Sequence, residues 1–341
     1  MEIQLLDCTL RDGAHVNSGN FGHQHITDII TYLSSSSLDI VEIGFLKHCK
    51  YSLDFSYFPR IENAYGVLPE IPNHQNVEYA LMARADEFDI NELSECTGKI
   101  NYIRVAFYFD FLEGAMKIAR EVLFRGYRCV LNLINTPGCT HQEINELIRC
   151  VNSVKPDTLT IVDTFGVLCK QELEIILDEF DSKLDPVIRI GFHAHENLSL
   201  SFSLAQFFIE RFHNIRNTIV DGSLLGMGRI PGNLCIEMFA DYLNKNYGKK
   251  YDLVKILSSI ENDITPIKQV LPWGYSPAYF LSAKHRVHRS YSEYLLKKDF
   301  RLNQIEVILG CIKPDYSVKF NKNYIDSIIA ENFCQINVEV K

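Results

Sequence analysis

The regular alternation of short apolar runs with longer amphipathic segments is the feature that most constrains the fold of this chain. Several runs, such as Leu38–Gly44, are almost continuously apolar and β-branched, which is typical of strands buried on both faces. Repeated βα units favour a parallel sheet with right-handed crossovers. The predicted strands are 3–9, 38–44, 77–83, 101–107, 127–134, 157–163, 187–194 and 217–221, and the predicted helices are 24–36, 89–97, 111–125, 141–153, 170–181, 199–213 and 232–246.

Eight such units predict an α/β protein with a (β/α)8 TIM barrel, in preference to an open doubly wound sheet. In that fold the functional residues lie at the carboxyl ends of the strands. Polar residues fall at those predicted ends: Asp12, Glu42, Asn132, Asn135, Asp163, Thr164, His193, His195 and Asp221. Their recurrence at one end of successive strands predicts a single site there.

Two regions interrupt the alternation. The connection 45–76 is long and rich in Tyr and Pro, and we expect it either to form a lid or to pack its aromatic side chains on the barrel rim. Residues 1–246 are predicted to be the catalytic barrel, and 247–341 a mainly helical C-terminal extension with helices at 252–264 and 276–297. We expect the extension to cover the site or to mediate association, as in a homodimer.

Composition argues against several classes of partner. The 341 residues are 47% hydrophobic, carry a net charge of −9 and contain no Lys/Arg run, which disfavours nucleic acid and anionic membranes. No apolar run approaches the ~20 residues of a membrane span. The ten cysteines form no C-x-x-C pair, so a cysteine-ligated zinc site is not expected. Because Met1 leads directly into a strand, we expect no signal peptide and a cytoplasmic protein with reduced thiols.

Asp12, His193 and His195 form a candidate metal site. Residues i and i+2 of a strand point to the same face, so the two histidines project together, although H-x-H can also be two packed core histidines. Asp12 adds a hard oxygen donor, and this mixed set suits Mn²⁺ or Mg²⁺. Three protein ligands leave positions open for substrate, which is typical of a catalytic site.

Arg11 and His15 flank that predicted ligand. The Arg11 guanidinium can hold a substrate carboxylate or an enolate oxygen, or it can pair structurally with Glu42. His15 follows the turn at Gly13 and can act as a general base near neutral pH, or it can be a surface histidine.

These segments are similar to the DRE-TIM metallolyase superfamily (HMGL-like), which includes 4-hydroxy-2-oxovalerate aldolase, 3-hydroxy-3-methylglutaryl-CoA lyase, and the isopropylmalate and homocitrate synthases. The matching segments, in family order, are Asp7–Gly13, Val41–Gly44, Asp163–Gly166, Gly191–Leu200, Asp221–Gly228 and Gly232–Glu237. The resemblance implies a TIM barrel with a divalent metal ion.

Within the superfamily, the residue two positions after the Arg-Asp-Gly glycine separates the branches. The CoA lyase and the synthases carry Gln there, whereas the hydroxy-oxovalerate aldolases carry His, as this chain does at His15. By this resemblance His15 takes the proton of the substrate hydroxyl, Arg11 stabilises a pyruvate enolate and Thr164 contacts the pyruvyl carboxylate. A tyrosine covers the site in those aldolases, and it corresponds to Tyr275 here, with Tyr279 as the second candidate.

Glu42 and Asn233, in two further matching segments, are assigned to substrate binding. The implied activity is a metal-dependent lyase that cleaves a 4-hydroxy-2-oxo acid into a 2-oxo acid and an aldehyde, or joins them. The aldolase extension docks an aldehyde dehydrogenase, but the match beyond the tyrosine segment is weak and implies that partner only faintly. The segment Arg229–Pro231 is bulkier than its aldolase counterpart and lacks the catalytic cysteine of the CoA lyase loop.

Three alternatives stay open at this point. The first is an acyl-CoA-dependent Claisen synthase, which His15 in place of Gln disfavours. The second is a non-haem Fe(II) oxygenase, because two His and one carboxylate also suit that metal. The third is a barrel without catalytic activity that serves as a binding scaffold.

Overall fold

The computed structural model describes residues 1–69 and 77–339, and side chains as far as residue 331. Among these residues, eight parallel strands form a closed barrel in which each strand pairs with the next and the last returns to the first. The strands are β1 (Ile3–Asp7), β2 (Ile40–Leu46), β3 (Glu78–Arg84), β4 (Tyr102–Phe107), β5 (Arg128–Leu133), β6 (Thr158–Asp163), β7 (Arg189–Ala194) and β8 (Thr218–Gly222). The predicted TIM barrel is confirmed.

Helices surround the barrel and continue beyond it. Those up to the last strand are α1 (Thr9–Asp12), α2 (Ala14–Asn17), α3 (His23–Ser35), α4 (Ile61–Ala64), α5 (Leu112–Phe124), α6 (His141–Val154), α7 (Lys170–Lys183) and α8 (Ser201–Phe212). Those after it are α9 (Ile236–Tyr247), α10 (Leu253–Ser259), a π-helical turn (Ile260–Ile264), α11 (Thr265–Val270), α12 (Pro277–Lys284), α13 (Ser290–Lys297), α14 (Leu302–Gly310) and α15 (Lys322–Glu339). No helix in the described ranges is long and apolar enough to cross a membrane.

The sequence of α6 shows why these helices form where they do. Thr140 and Glu143 make a reciprocal capping box that satisfies backbone donors at the first turn. Ile144, Leu147 and Val151 then recur at helical spacing, and all three are buried against the sheet.

The barrel interior is built in layers, because residues two apart on a strand share a face. An apolar layer includes Ile40, Tyr102, Val130 and Ile219. Two positions further along the same strands lies a buried polar layer, which comprises Glu42, Arg104, Asn132 and Asp221. The chain thus places charged groups directly beneath the carboxyl end of the barrel.

Some predicted elements were wrong in detail. The helix predicted at 89–97 is only a 3-10 turn, Ile90–Glu92. Asp89 caps this turn by accepting the Asn91 N–H at 3.0 Å, and Gly98 has a φ of +80°. Polar side chains that bond to the local backbone, followed by a glycine in the left-handed region, compete with a longer helix. The helix predicted at 276–297 is split into α12 and α13, because Arg286 takes a φ of 54°.

Only part of the long connection after β2 is described, since 70–76 of the predicted 45–76 segment lies outside the described residues. Within the rest, a two-residue strand, Tyr57–Phe58, pairs in parallel with the end of β2. Phe58 is fully buried in the main core. Tyr57 and Phe58 therefore pack on the barrel at this point, whereas a lid role stays a prediction.

The C-terminal extension has two parts. Ile256, Ile264 and Trp273 belong to the same hydrophobic core as the barrel. A separate core begins at Leu281 and joins α12, α13, α14 and α15. The predicted boundary between 246 and 247 stays a prediction of domain organisation.

Candidate active site

A cavity opens at the carboxyl end of the barrel, with an empty volume of about 640 Å³ that is partly open to solvent. Its lining combines polar groups from several strand ends with a few apolar side chains: Arg11, Asp12, His15, Phe45, Met82, Arg84, Ala106, Tyr108, Asn132, Ile134, Val162, Thr164, His193, His195 and Arg229. This is the end of the barrel at which the sequence predicted a site.

Asp12, His193 and His195 are brought together at the base of the cavity. All three are buried, and their candidate ligand atoms lie within 4.8 Å of one another. The Asp12 Oδ2 and His195 Nε2 atoms are 3.7 Å apart. A set of one carboxylate and two imidazoles at these separations is suited to a single divalent ion.

Each histidine is oriented through its other ring nitrogen. His193 Nδ1 lies 3.0 Å from Asp221 Oδ2, and His195 Nδ1 donates to the Asp163 carbonyl oxygen at 3.0 Å. Since that carbonyl can only accept, His195 Nε2 is left with a free lone pair. This Nε2 is buried without a hydrogen-bond partner among the described residues. An orphaned imidazole nitrogen held by an outer partner is typical of a metal ligand, so these residues fit a divalent ion.

The ionisation states also suit metal ligands. Burial lowers the pKa of His193 to about 4 against the opposing effect of Asp221, so the ring is neutral at pH 7. Burial alone would raise the pKa of Asp12, but Arg11 and His195 hold it well below its usual range. A neutral imidazole and a carboxylate are the forms that bind a cation.

The loop 226–232, which we call the glycine loop, supports Asp12 from above. The Arg229 backbone N–H donates to Asp12 Oδ2 at 3.0 Å. Gly228 is packed so tightly that an added Cβ would lie 2.6 Å from that oxygen and 2.3 Å from Asn233 Nδ2. Asn233 is buried beneath the loop and does not line the cavity, and its Oδ1 has no hydrogen-bond partner among the described residues.

Arg11 lines the cavity while it pairs with two carboxylates. Its Nε donates to Glu42 Oε2 at 2.7 Å, and its Nη1 contacts Asp12. Glu42 is fully buried and also accepts from Arg104 Nη1 at 2.9 Å. Glu42, predicted to bind substrate, lies below the cavity wall and orients Arg11 instead of lining the cavity.

His15 lies on the cavity wall close to the candidate metal ligands. Its Nε2 is 3.9 Å from Asp12 Oδ1. Its ring makes an edge contact with the Phe45 ring, with 6.0 Å between the ring centroids. Partial burial, with the charges of Arg229 and Arg11, lowers the pKa of His15 against the opposing effect of Asp12. The ring is therefore neutral at pH 7 and can accept a proton.

The remaining predicted residues divide between the cavity and the surface. Thr164 lines the cavity, and its Oγ1 accepts the Asn135 N–H at 2.7 Å. Tyr275 is not among the residues that line the cavity, and it is 61% exposed. Tyr279 directs its hydroxyl to Glu293 at 3.3 Å. The tyrosine that lines the cavity is Tyr108, in the loop after β4, which the sequence reasoning missed although it follows an apolar strand directly.

Fold and cavity together define a class of protein: a (β/α)8 barrel with a candidate divalent-metal centre at the carboxyl ends of its strands. A family model described as HMGL-like matches residues 2–264, and the chain belongs to that family. This confirms the superfamily predicted from the sequence segments.

Individual relatives agree with that membership. A 4-hydroxy-2-oxovalerate aldolase of Carboxydothermus hydrogenoformans is 25% identical over 293 residues, which cover 82% of this chain and 84% of the relative. Among solved structures, the N-terminal domain of a Bacteroides vulgatus protein provisionally assigned as an aldolase has a TM-score of 0.75 at 22% identity, covering 89% of this chain and 98% of that one. The HMG-CoA lyase of Bacillus subtilis has a TM-score of 0.61 at 17% identity, covering 80% and 94%. The structural likenesses show a shared fold.

Proposed function

We propose that the protein is a divalent-metal-dependent aldolase that cleaves a 4-hydroxy-2-oxo acid into pyruvate and an aldehyde, or joins the two. The observation that carries this proposal is His15, a neutral imidazole 3.9 Å from the Asp12 carboxylate and on the wall of the same cavity. A base in this position suits removal of the hydroxyl proton of a 4-hydroxy-2-oxo acid that lies in the cavity. The aldolase of Carboxydothermus hydrogenoformans supports the same reaction class by its similarity.

Asp12, His193 and His195 would hold Mn²⁺ or Mg²⁺, which when bound supplies Lewis-acid polarisation of the substrate's carboxylate and 2-oxo group. Thr164 contributes at the carboxylate end. Since its Oγ1 already accepts the Asn135 N–H, its own hydroxyl hydrogen is free to be donated to a carboxylate oxygen.

In the cleavage direction, His15 takes the proton from the C4 hydroxyl. The C3–C4 bond breaks, the aldehyde leaves, and the electron pair of that bond remains as the enolate of pyruvate. The Arg11 guanidinium, held by Glu42, stabilises the developing charge on the enolate oxygen, a contribution of about 3–4 kcal/mol for a well-placed donor. A proton then returns to C3 from water or a neighbouring acid, and condensation runs the same steps in reverse.

The test separates the base from the metal ligand. His15→Ala should retain full metal content but lose turnover by about 10²–10⁴-fold, the usual effect of removing a general base. Asp12→Asn should lose both metal and turnover, because it removes the carboxylate ligand. Pyruvate release from a panel of 4-hydroxy-2-oxo acids and metal analysis provide the two measurements.

Unchanged turnover in His15→Ala would contradict the base assignment, and full metal occupancy in Asp12→Asn would contradict the ligand assignment. Release of a thiol from acyl-CoA with a 2-oxo acid, without retro-aldol activity, would replace this proposal by the Claisen synthase.

A further inference from the structure

The cavity carries more positive charge than the proposed pyruvate half of the substrate requires. Three guanidinium groups line it, from Arg11, Arg84 and Arg229, against one carboxylate, Asp12. An arginine of this lining that has no carboxylate partner would attract an anionic group of the substrate.

The three arginines differ in how far their charge is compensated. Arg11 pairs with Asp12 and Glu42, and Arg84 pairs with Asp86 at 2.5 Å and Glu87 at 3.4 Å. For Arg229, no carboxylate within the described ranges lies in salt-bridge distance, and its side chain has no hydrogen-bond partner there. Arg229 is partly buried, and its guanidinium is therefore available to a ligand.

Arg229 and His15 line the same cavity, and in the proposed reaction His15 acts at the aldehyde half. Its backbone N–H is 3.0 Å from Asp12 Oδ2, and His15 Nε2 is 3.9 Å from Asp12 Oδ1, so both residues flank one carboxylate. In the proposed reaction His15 acts at the C4 oxygen, which becomes the aldehyde oxygen. A group attached beyond C4 would therefore be close to Arg229.

The C-terminal extension holds the loop that carries Arg229. Arg289 donates from Nη1 to the Ile230 carbonyl oxygen at 3.1 Å, and its own charge is balanced by Glu293 at 3.2 Å. Trp273 Nε1 donates to the Leu225 carbonyl oxygen at 3.0 Å, just before the loop. These contacts restrain the backbone that carries Arg229, and a preorganised backbone favours ligand binding.

We propose that Arg229 is a specificity residue which binds an anionic group, a carboxylate or a phosphate ester, on the aldehyde half of the substrate. The inference rests on the proposed aldolase function. It predicts that the enzyme condenses pyruvate with an anionic aldehyde in preference to an uncharged alkyl aldehyde.

Matched aldehydes test the proposal in the condensation direction with Mg²⁺ or Mn²⁺ present. Succinic semialdehyde is compared with pentanal for the carboxylate, and glyceraldehyde 3-phosphate with glyceraldehyde for the phosphate. We expect at least one anionic aldehyde to have a kcat/KM about 10- to 100-fold above its uncharged counterpart, the range for a hydrogen-bonded charge pair. The pair of aldehydes that shows this preference identifies the anionic group as a carboxylate or a phosphate ester.

Arg229→Gln should reduce that preference by about the same factor, mainly through KM for the aldehyde, because the side chain binds and does not transfer a proton. Arg149→Gln is the matched control, since this arginine on α6 is 75% exposed and makes only a loose pair with Glu146 at 3.9 Å. Equal kcat/KM values for charged and uncharged aldehydes, or a preference retained in Arg229→Gln, would overturn the inference.

A binding measurement distinguishes failure of this inference from failure of the proposed function. If no aldehyde condenses with pyruvate, the aldolase proposal fails, and sulfate binding by the Mg²⁺-loaded protein is then followed by calorimetry. Weaker sulfate binding in Arg229→Gln than in Arg149→Gln would still support an anion site, and equal binding would refute it.

Discussion

At the scale of single residues, the buried guanidinium of Arg104 links the fold to the candidate active site. It is 1% exposed and contacts Glu42, Asp221 and Asn132 in the polar layer. Glu42 in turn orients Arg11, and Asp221 orients His193. A single cation thus pairs with two carboxylates, one of which orients the proposed substrate-binding residue and the other a proposed metal ligand.

Replacing Arg104 should cost more stability than an ordinary core substitution. Arg104→Met leaves the Glu42 and Asp221 carboxylates buried without this cation, and we expect a loss of about 3–5 kcal/mol in the free energy of unfolding. Arg104→Lys retains the charge and should lose less. Urea denaturation at pH 7 measures both variants, and a loss below about 1 kcal/mol for Arg104→Met would contradict this role.

Residue types and strand positions were enough to predict that Asp12, His193 and His195 would lie close together, because parallel strands bring their carboxyl ends to one place. Arg104 was not predicted, although a charged residue inside the apolar run Tyr102–Phe107 was visible in the sequence. Its partners come from β2, β5 and β8, and no local pattern specifies such pairings across the barrel. Tyr275 follows a break at Pro272 and Gly274, where periodicity does not indicate the path of the chain.

At the scale of elements, the glycine loop leaves little room for a larger side chain beside Asp12. Gly228→Ala would place a Cβ 2.6 Å from Asp12 Oδ2 and 2.3 Å from Asn233 Nδ2, so either the loop or the ligand must shift. We expect divalent-metal affinity to fall by about 10- to 100-fold, the usual effect of disturbing a ligand's support.

A second glycine provides the control for that substitution. At Gly66, a Cβ would meet only Leu53 and Tyr51 at 3.7 Å, an ordinary contact distance. Gly66→Ala should therefore leave metal binding unchanged. Metal titration of both variants provides the comparison, and equal affinities in Gly228→Ala and Gly66→Ala would show that the loop does not determine the position of Asp12.

The strands were predicted more accurately than the connecting segments, for a physical reason. A strand buried between interior and helices must be apolar over its whole length, so its sequence carries a strong signal. The segment 89–97 carries a helix-like spacing, but its polar side chains bond to the local backbone and the structure contains only a turn there. The helix predicted to begin at 232 begins only at Ile236, as α9. The preceding Asn233 forms a β-bridge with His195, a tertiary contact that helical spacing does not indicate.

At the scale of the whole molecule, the C-terminal extension and the barrel meet around His288. Its ring makes an edge contact with the ring of Phe165, which lies in the loop after β6, with 5.7 Å between the ring centroids. The Ser290 N–H donates to His288 Nδ1 at 3.2 Å, which requires an unprotonated nitrogen. Burial, with the charges of Arg229 and Arg289, lowers the pKa of His288 to about 4.

This junction should weaken on acidification. The unfolded-state pKa of His is about 6.5, so the stabilisation from a neutral His288 is complete above that pH and is lost as the pH falls toward 4. Between pH 7 and pH 4.5, the natural protein should lose about 1–3 kcal/mol more of its free energy of unfolding than His288→Gln does. This figure corresponds to the difference between the folded and unfolded pKa values of His288. Urea denaturation at both pH values measures this difference.

An exposed histidine provides the control for the pH experiment. His141 is 75% exposed, and His141→Gln should keep the pH dependence of the natural protein. If His288→Gln shows the same loss on acidification as His141→Gln, the junction is not the pH-sensitive contact.

The hydrogen bond from the Arg229 backbone to Asp12 also sets an order of events during biosynthesis. Its two residues are 217 positions apart, and they meet only after β8 has paired with β1, where Ile3 lies beside Thr218. The ribosome releases the Arg-Asp-Gly segment almost at once and its supporting amide much later. A nascent chain that stalls before residue 229 therefore has Asp12, the proposed metal ligand, without its support, and we expect metal uptake only after the barrel has been translated.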